Sequence, residues 1–200
     1  MLKVIGINGR FRHGKDTVAK ILIEERGFTK INIGAPLYEM LYRLNPPIAV
    51  QRQGVDQLQI QTDKVLRVQD IVDTVGWDNA KDWYPEIRAL LQRMGHEMRP
   101  VMWDSIWIDK WWRSARESGA RKIVVPDVRY DVDAHKILQV HGQVWHVNRP
   151  GYRTPDEVNA KHAGEAGIDP KFISQRLVNQ EGQLEELRMA VLMAADGISW

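Results

Sequence analysis

One segment of the sequence, Gly9–Thr17 (GRFRHGKDT), carries residue types that could bind a phosphate anion. Glycines allow a chain to turn its backbone N–H groups towards an anion, and the N-terminus of a following helix adds partial positive charge. Lys15 would then place an ammonium group beside the β- and γ-phosphates of a nucleoside triphosphate. The residues predicted to form this phosphate-binding loop are Gly9, Arg12, His13, Gly14, Lys15, Asp16 and Thr17.

The carboxylate and the hydroxyl that follow Lys15 are candidate metal ligands. Phosphate loops usually place a Ser or Thr directly after the lysine, where its hydroxyl binds Mg²⁺. Here Asp16 occupies that position and the hydroxyl of Thr17 comes one residue later. A carboxylate beside phosphates would repel them unless a cation intervened. We therefore expect Asp16 to lie close to Mg²⁺ or its waters, with Thr17 as a second ligand.

A second carboxylate, Asp127, follows the apolar stretch Ile123–Pro126. In phosphate-loop proteins such a strand lies next to the first strand, and its aspartate faces the magnesium ion. The alternative for Asp127 is a turn or helix-capping role. Arg129 follows two residues later, and guanidinium groups stabilise the charge that spreads over the phosphoryl oxygens during transfer. We predict that Asp127 is a metal ligand and that Asp127, Arg129 and Lys15 are catalytic.

Further side chains could hold an acceptor molecule. Arg93 and Arg99 flank Gly95–Glu97 near the end of a predicted helix, where they could clamp an acceptor phosphate. Gln92 could bond to the edge of a base, while aromatic rings could stack on it or fill a core instead. The residues predicted to bind the acceptor are Tyr38, Arg43, Trp83, Gln92, Arg93 and Arg99, and Arg93 is also predicted to be catalytic.

The chain alternates short apolar strands with amphipathic helices, which favours a parallel α/β sheet. A helix over Thr17–Arg26 follows the first strand. The stretch Arg129–His141 is a candidate for the lid that closes over ATP. Nearly ninety residues separate the second strand from the third, so a helical segment is inserted there. The predicted strands are Lys3–Asn8, Thr29–Ile33, Lys122–Pro126, Gln143–Asn148 and Arg176–Asn179.

Three helices are predicted within the insertion. Valines spaced by three and four residues form the first, Val65–Val75, with Gly76 as its end. The second begins at Pro85 and continues to Met98. Asp104 could cap the third. This helix would carry Trp107 and Trp111, and together with Trp103 they are spaced by four residues as a stripe for helix packing or a dimer interface.

The composition excludes several kinds of site. The chain has 200 residues, with 28 basic and 26 acidic side chains and a net charge of +2. The absence of cysteine excludes disulfide scaffolds, thiolate zinc sites and cysteine nucleophiles. No apolar run approaches the roughly 20 residues that span a bilayer. We expect a soluble cytoplasmic protein without a membrane partner, and the nearly balanced charge argues against nucleic acid as a partner.

Taken in order, these motifs resemble those of the bacteriophage deoxynucleoside monophosphate kinases, which belong with the phosphate-loop nucleotide kinases. The resemblance covers most of the chain. In such kinases the loop after the fourth strand commonly approaches the adenine of ATP, which implies that Arg149 stacks on that ring. The matching segments are Gly14–Thr17, Ile33–Leu37, Leu90–Glu97, Asp127–Arg129, Val147–Pro150, and His162 with Glu165.

The resemblance implies a three-layer phosphate-loop kinase fold with about five parallel strands in a single domain, 1–200. Its core would be 1–35 and 120–200, and the helical acceptor-binding insertion about 36–119. The implied reaction transfers the γ-phosphate of ATP, with Mg²⁺, to a deoxynucleoside monophosphate within phage nucleotide metabolism. A homodimer is also implied. Because the acceptor oxygen is already anionic, no general base is needed, and the protein has only to align and neutralise charge.

Two other functions stay open on the sequence alone. One is a phosphate-loop kinase for another small molecule, such as phosphomevalonate or dephospho-coenzyme A. The other is a nucleic-acid-binding module switched by ATP, suggested by Arg99–Arg116, where basic residues alternate with four tryptophans. Acidic residues within and beside that segment, among them Asp104 and Asp109, argue against the second function.

Overall fold

The computed structural model of the protein describes residues 2–48, 65–152 and 167–198, which fall into two units. One unit comprises the ranges Met1–Ile33 and Ile108–Trp200, and the other comprises Gly34–Trp107. The sequence places the corresponding boundaries at about 36 and 119. No helix among the described residues is long and apolar enough to cross a membrane.

A parallel sheet organises the first unit, in the strand order β2-β5-β1-β6-β7. A two-stranded antiparallel ribbon, β3 with β4, lies in the second unit. The strands are β1 (Lys3–Asn8), β2 (Thr29–Lys30), β3 (Pro47–Ile48), β4 (Leu66–Arg67), β5 (Lys122–Val125), β6 (Gln143–Asn148) and β7 (Gln175–Val178).

The helices differ from the sequence prediction mainly at their ends. The inserted helix predicted from Val65 begins at Val68, because the two residues before it pair with β3. Gly76 interrupts this helix with φ 75° and ψ 165°, as predicted, but a helical turn resumes beyond it. The helices are α1 (Lys15–Arg26), α2 (Ala35–Leu44), α3 (Val68–Trp83), α4 (Pro85–Val101), α5 (Ile106–Glu117), α6 (Asp131–Gln139) and α7 (Leu184–Asp196).

The central strand β1 is apolar on both faces because helices cover both faces of the sheet. Ile5 and Ile7 face a core shared with side chains of α1 and α7, such as Leu22 and Leu187. On the opposite face α6 packs so closely that a Cβ on Gly6 would lie 2.6 Å from Ile137 Cδ1. The three-layer parallel α/β architecture predicted from the sequence is therefore confirmed.

Strand β2 leaves the sheet earlier than predicted. Ile31 N still donates to Val124 O at 3.1 Å, but Ile33 N donates to Asp127 Oδ1 at 2.9 Å. The side chain of Asp127 thus replaces the sheet partner at the end of this strand. The strand predicted over Thr29–Ile33 ends at Lys30 for that reason.

The predicted tryptophan stripe is correct for two of its three members. Trp107 Nε1 donates to Gly95 O and Trp111 Nε1 donates to Ile31 O, each at 3.0 Å, and both rings are buried. Trp103 is 46% exposed and precedes α5, which begins at Ile106 rather than beside Asp104. The two buried indoles fill the cores of their own units.

Candidate active site

The segment between β1 and α1 folds into a tight loop. Gly9, Arg12 and Gly14 have φ angles of 150°, 60° and 101°, and His13 N donates to Arg10 O at 3.2 Å. Residues with positive φ, interleaved with ordinary ones, turn successive N–H groups to one side of a chain. Helix α1 begins at Lys15, so its positive dipole end borders the same loop. This geometry suits a phosphate anion, as the sequence predicts.

The ammonium group of Lys15 lies at the start of this loop. Its Nζ donates to Gly9 O at 2.6 Å and to Arg10 O at 2.8 Å. These two carbonyl oxygens hold the cation against the backbone that would surround the anion. The ammonium group of Lys15 therefore adjoins the candidate anion site formed by this loop.

Two glycines allow neighbouring strands to approach the loop. A Cβ on Gly9 would lie 2.5 Å from Val147 O, and a Cβ on Gly14 would lie 2.4 Å from Asn179 Nδ2. Real Cβ atoms do not approach other atoms so closely. The loop is thus packed against the carboxyl end of β6 and the chain that leaves β7.

His13 joins the loop to both of these strand ends. Its Nδ1 accepts a hydrogen bond from Arg149 N at 3.1 Å, and its carbonyl oxygen accepts one from Asn179 Nδ2 at 3.0 Å. The edge of the imidazole meets the ring of Tyr152, with centroids 6.1 Å apart. The sequence predicts His13 as a residue of the phosphate-binding loop, and the structure buries its side chain as a support of that loop. Asn179 was missed because its partner is remote in sequence.

Arg149, predicted to stack on adenine, adjoins the loop through its backbone bond to His13. Its guanidinium lies 5.0 Å from the centroid of Tyr152 and 3.5 Å from a carboxylate oxygen of Glu181. An aromatic ring and a cation are thus presented together beside the phosphate loop. Two further residues on which the family resemblance rests, His162 and Glu165, lie outside the described residues.

A buried hydrogen-bond chain joins the carboxyl ends of three strands. Asn8 Nδ2 donates to Val128 O at 2.9 Å, which leaves Asn8 Oδ1 as the acceptor for His146 Nδ1, also at 2.9 Å. Because Asn8 immediately precedes Gly9, this chain fixes the start of the phosphate loop against β5 and β6.

We expect Asn8→Ala to reduce the free energy of unfolding by about 1–3 kcal/mol, because the Val128 carbonyl and the His146 ring nitrogen lose their partner. Urea denaturation measures this change. Asn148→Ala is the control, because Asn148 is exposed at the end of β6, and we expect it to cost about 0.5 kcal/mol or less. Equal costs for the two variants would contradict the role assigned to Asn8.

The predicted metal ligands occupy different surroundings. Asp127 follows β5, and its Oδ1 accepts the hydrogen bond from Ile33 N. Asp16 is 84% exposed, and its Oδ1 lies 3.0 Å from Lys30 Nζ. The partner of Asp16 was not predicted. Thr17 lies in the first turn of α1.

Arg129 lies on the exit from β5, two residues after Asp127, as the sequence requires. Its backbone N–H donates weakly to Asp133 Oδ2 at 3.4 Å. The prediction that Arg129–His141 is a lid is wrong, because most of this segment forms α6. Asp133 caps that helix, and Ile137 is fully buried against the sheet.

A cavity of about 370 Å³ lies beside the loop, within the first unit. Among its lining residues the ionisable side chains are basic, and His146 and Arg176 were missed by the sequence analysis. One signal was available, since His146 is a polar residue between the apolar Trp145 and Val147 of β6. The cavity is lined by Asn8, Gly9, Arg10, His13, His146, Asn148, Gly167, Ile168, Pro170, Ile173 and Arg176.

In the second unit, only some of the predicted acceptor residues have exposed side chains. Arg93 and Gln92 are neighbours on α4; Arg93 is exposed, and its side chain has no hydrogen-bond or ion-pair partner among the described residues. Trp83 is 45% exposed at the end of α3.

The other three residues predicted to bind the acceptor make contacts within the second unit. The ring of Tyr38 packs edge-on against Trp77, with centroids 4.8 Å apart. Arg43 pairs with Glu39 at 2.6 Å on the surface of α2. Arg99 is 7% exposed and donates to Asp104 O, so it anchors the turn between α4 and α5.

Comparison with known proteins links these features to nucleotide kinases. Residues 48–191, most of the chain, match the sequence profile of a family described as deoxynucleotide monophosphate kinase. The chain is similar to the deoxynucleoside-5'-monophosphate kinase of Escherichia phage T5, with 22% identity over 242 residues that cover 98% of this chain and 97% of that protein. The dephospho-CoA kinase from Campylobacter jejuni is similar over 99% of this chain and 98% of its own, with 13% identity and a TM-score of 0.48.

Proposed function

Because this chain belongs to the deoxynucleotide monophosphate kinase family, we propose that it transfers the γ-phosphate of ATP to a deoxynucleoside monophosphate. The bond between the γ-phosphorus and its bridging oxygen breaks, and a new bond forms to an oxygen of the acceptor phosphate. The products are ADP and a deoxynucleoside diphosphate. The observation that carries the proposal is the tight loop at Gly9–Thr17. The ammonium group of Lys15 bonds to the first residue of this loop, and α1 begins at Lys15.

The proposed reaction requires that the negative charge of the phosphates is neutralised and that the two substrates are aligned. The acceptor oxygen is an anion already, so no proton has to be removed from it at the start. Lys15 would neutralise the transferred group, and Arg129 would stabilise the charge that develops on its equatorial oxygens. Arg93 would hold the acceptor phosphate, with Gln92 and Trp83 as candidates for contacts to its base.

The oxygen donors present suit Mg²⁺, which in nucleotide sites typically takes one or two protein ligands together with substrate phosphates and water. Thr17 and Asp127 are a hydroxyl and a carboxylate of this type, and Asp16 would lie at the edge of the site, paired with Lys30. When bound, the ion would neutralise phosphate charge. Among the described residues there is no cluster of three or more His, Cys, Asp or Glu side chains to hold a metal without substrate.

A panel of acceptors tests the proposed function. Purified protein is incubated with ATP, Mg²⁺ and each deoxynucleoside monophosphate, and ADP release is measured. Phosphomevalonate and dephospho-coenzyme A serve as the competing acceptors. Turnover on at least one deoxynucleoside monophosphate, above that on either competitor, is the expected result. Absence of turnover on every deoxynucleoside monophosphate would contradict the proposal.

Arg93→Ala should raise the KM for the acceptor, lower kcat, or both, with a combined loss of about 10–100-fold in kcat/KM. The reason is the loss of a charge-assisted hydrogen bond to the acceptor phosphate. The Kd for ATP should change much less. Arg113→Ala is the control, since Arg113 is an exposed arginine of α5 that pairs with Glu117. A weakened affinity for ATP in place of the acceptor effect would contradict this role for Arg93.

The oligomeric state of the protein can be measured directly. We propose a homodimer on the basis of the family resemblance, and light scattering coupled to gel filtration measures its mass.

The nucleic-acid alternative is weakened by the burial of Trp107 and Trp111, because base stacking needs exposed rings.

A further inference from the structure

Two arginines line the cavity beside the loop and have no acidic partner among the described residues. Neither the Arg10 nor the Arg176 side chain makes a hydrogen bond or ion pair with any residue that the structure describes. Other arginines of the first unit do have partners, as Arg26 has with Asp196 at 2.7 Å and Arg188 with Glu25 at 2.6 Å. No Asp or Glu side chain is among the described residues that line the cavity.

The position of these arginines links them to the loop. Arg10 is the second loop residue, and its carbonyl oxygen accepts the hydrogen bond from Lys15 Nζ. Arg176 projects from β7 on the opposite side from the buried Leu177, since neighbouring strand residues alternate between faces. Asn8 and Asn148 also line this cavity, so neutral polar residues accompany the arginines. Its lining therefore combines cations and neutral polar residues, which together suit an anion.

His146 reports the positive potential of the cavity. Its pKa is lowered from the ordinary value first by burial and then by the charges of Arg176, His13, Arg10 and Lys15. The imidazole is consequently neutral at pH 7, with the Nδ1 proton donated to Asn8 Oδ1. The cationic groups of Arg176, Arg10 and Lys15 thus act on His146 in one cavity, and no carboxylate is among the described residues that line it.

We propose that this cavity is a phosphate-binding subsite, in which Arg10 and Arg176 bind a phosphate group of a substrate. The inference rests on the proposed kinase function and adds two residues to it. A volume of about 370 Å³ falls within the range of small-molecule sites, about 300–1,000 Å³. The phosphate could be the terminal group of the donor or the group carried by the acceptor.

Binding measurements with charge-removing variants test the subsite. Calorimetry compares the wild type with Arg10→Gln and Arg176→Gln, using a nonhydrolysable ATP analogue, ADP, a deoxynucleoside monophosphate and the unphosphorylated deoxynucleoside. We expect each variant to weaken one phosphate-bearing ligand by roughly 10–100-fold, with partial recovery in Arg176→Lys. Arg113→Gln is the control and should bind like the wild type.

The pattern of losses identifies the source of the phosphate. A loss for the ATP analogue that is absent for ADP assigns the subsite to the terminal phosphate of the donor. A loss for the monophosphate that is absent for the unphosphorylated deoxynucleoside assigns it to the acceptor. Unchanged affinities for both ligands in both variants would overturn the proposal.

A second measurement does not depend on turnover. Histidine NMR follows the pKa of His146 while inorganic phosphate is added. A bound dianion should raise that pKa in the wild type, whereas Arg176→Gln should raise it without phosphate and reduce the response to phosphate. Absence of any response in the wild type would contradict the subsite. Failure of the kinase assay together with an intact His146 response would instead contradict the proposed function and leave the subsite standing.

Discussion

Lys15→Ala is expected to lower kcat/KM for phosphoryl transfer by about 10²–10³-fold. The ammonium group bonds to two backbone carbonyl oxygens of its own loop, Gly9 O and Arg10 O. Its removal takes a full positive charge from the phosphate site without disturbing the hydrophobic core. Steady-state ADP release measures the loss, and thermal unfolding should show a Tm close to that of the wild type.

Lys20→Ala provides the matched control for this experiment. Lys20 is also in α1, but its side chain is exposed and pairs with Glu24 at a distance of 3.8 Å. We expect wild-type kinetics from this variant. A Lys15→Ala protein that is folded and has more than about a third of wild-type activity would be incompatible with the placement of the catalytic charge.

Gly14→Ala should abolish measurable binding of ATP. The φ angle of Gly14 is 101°, which an L-residue adopts at a cost of about 1–2 kcal/mol. The added methyl would also collide with the Asn179 amide at 2.4 Å, the group that holds the carbonyl of His13. The loop must therefore shift away from its supports. Calorimetric titration with a nonhydrolysable ATP analogue measures the loss.

The Gly119→Ala variant separates the effect of backbone strain from the effect of a steric collision. Gly119 has a φ angle of 72°, and no atom lies within 4 Å of the position that a Cβ would occupy. This variant should lose about 1 kcal/mol of stability from strain alone, while its affinity for ATP stays at the wild-type value. Equal losses of ATP affinity in the two variants would show that the contact with Asn179 does not shape the loop.

The elements with strong local signals were predictable from the sequence. β1 and β6 have their predicted bounds because buried apolar residues such as Ile5 and Trp145 dominate the middle of each strand, and such segments are easily recognised. The phosphate loop was predictable because its glycines and lysine act through the backbone next to them. The helix break at Gly76 follows equally from a single residue.

Features that depend on remote partners were not predictable. The early end of β2 is set by Asp127, 94 positions away from Ile33. The ion pair at Asp16 depends on Lys30, whose position is set by β2. His146 and Arg176 carry no sequence motif, and they share a cavity only because parallel pairing sets them on adjacent strands. Residue spacing cannot supply such information.

The bond from Asn179 to His13 spans 166 positions of the chain. During translation, the glycine-rich segment leaves the ribosome well before β7, so this bond stays absent until β7 has emerged and docked beside β6. A nascent chain that stops short of β7 therefore lacks a finished nucleotide cradle. Occupancy by nucleotide in turn would favour docking of that edge strand, so that the ligand helps to complete the protein that binds it.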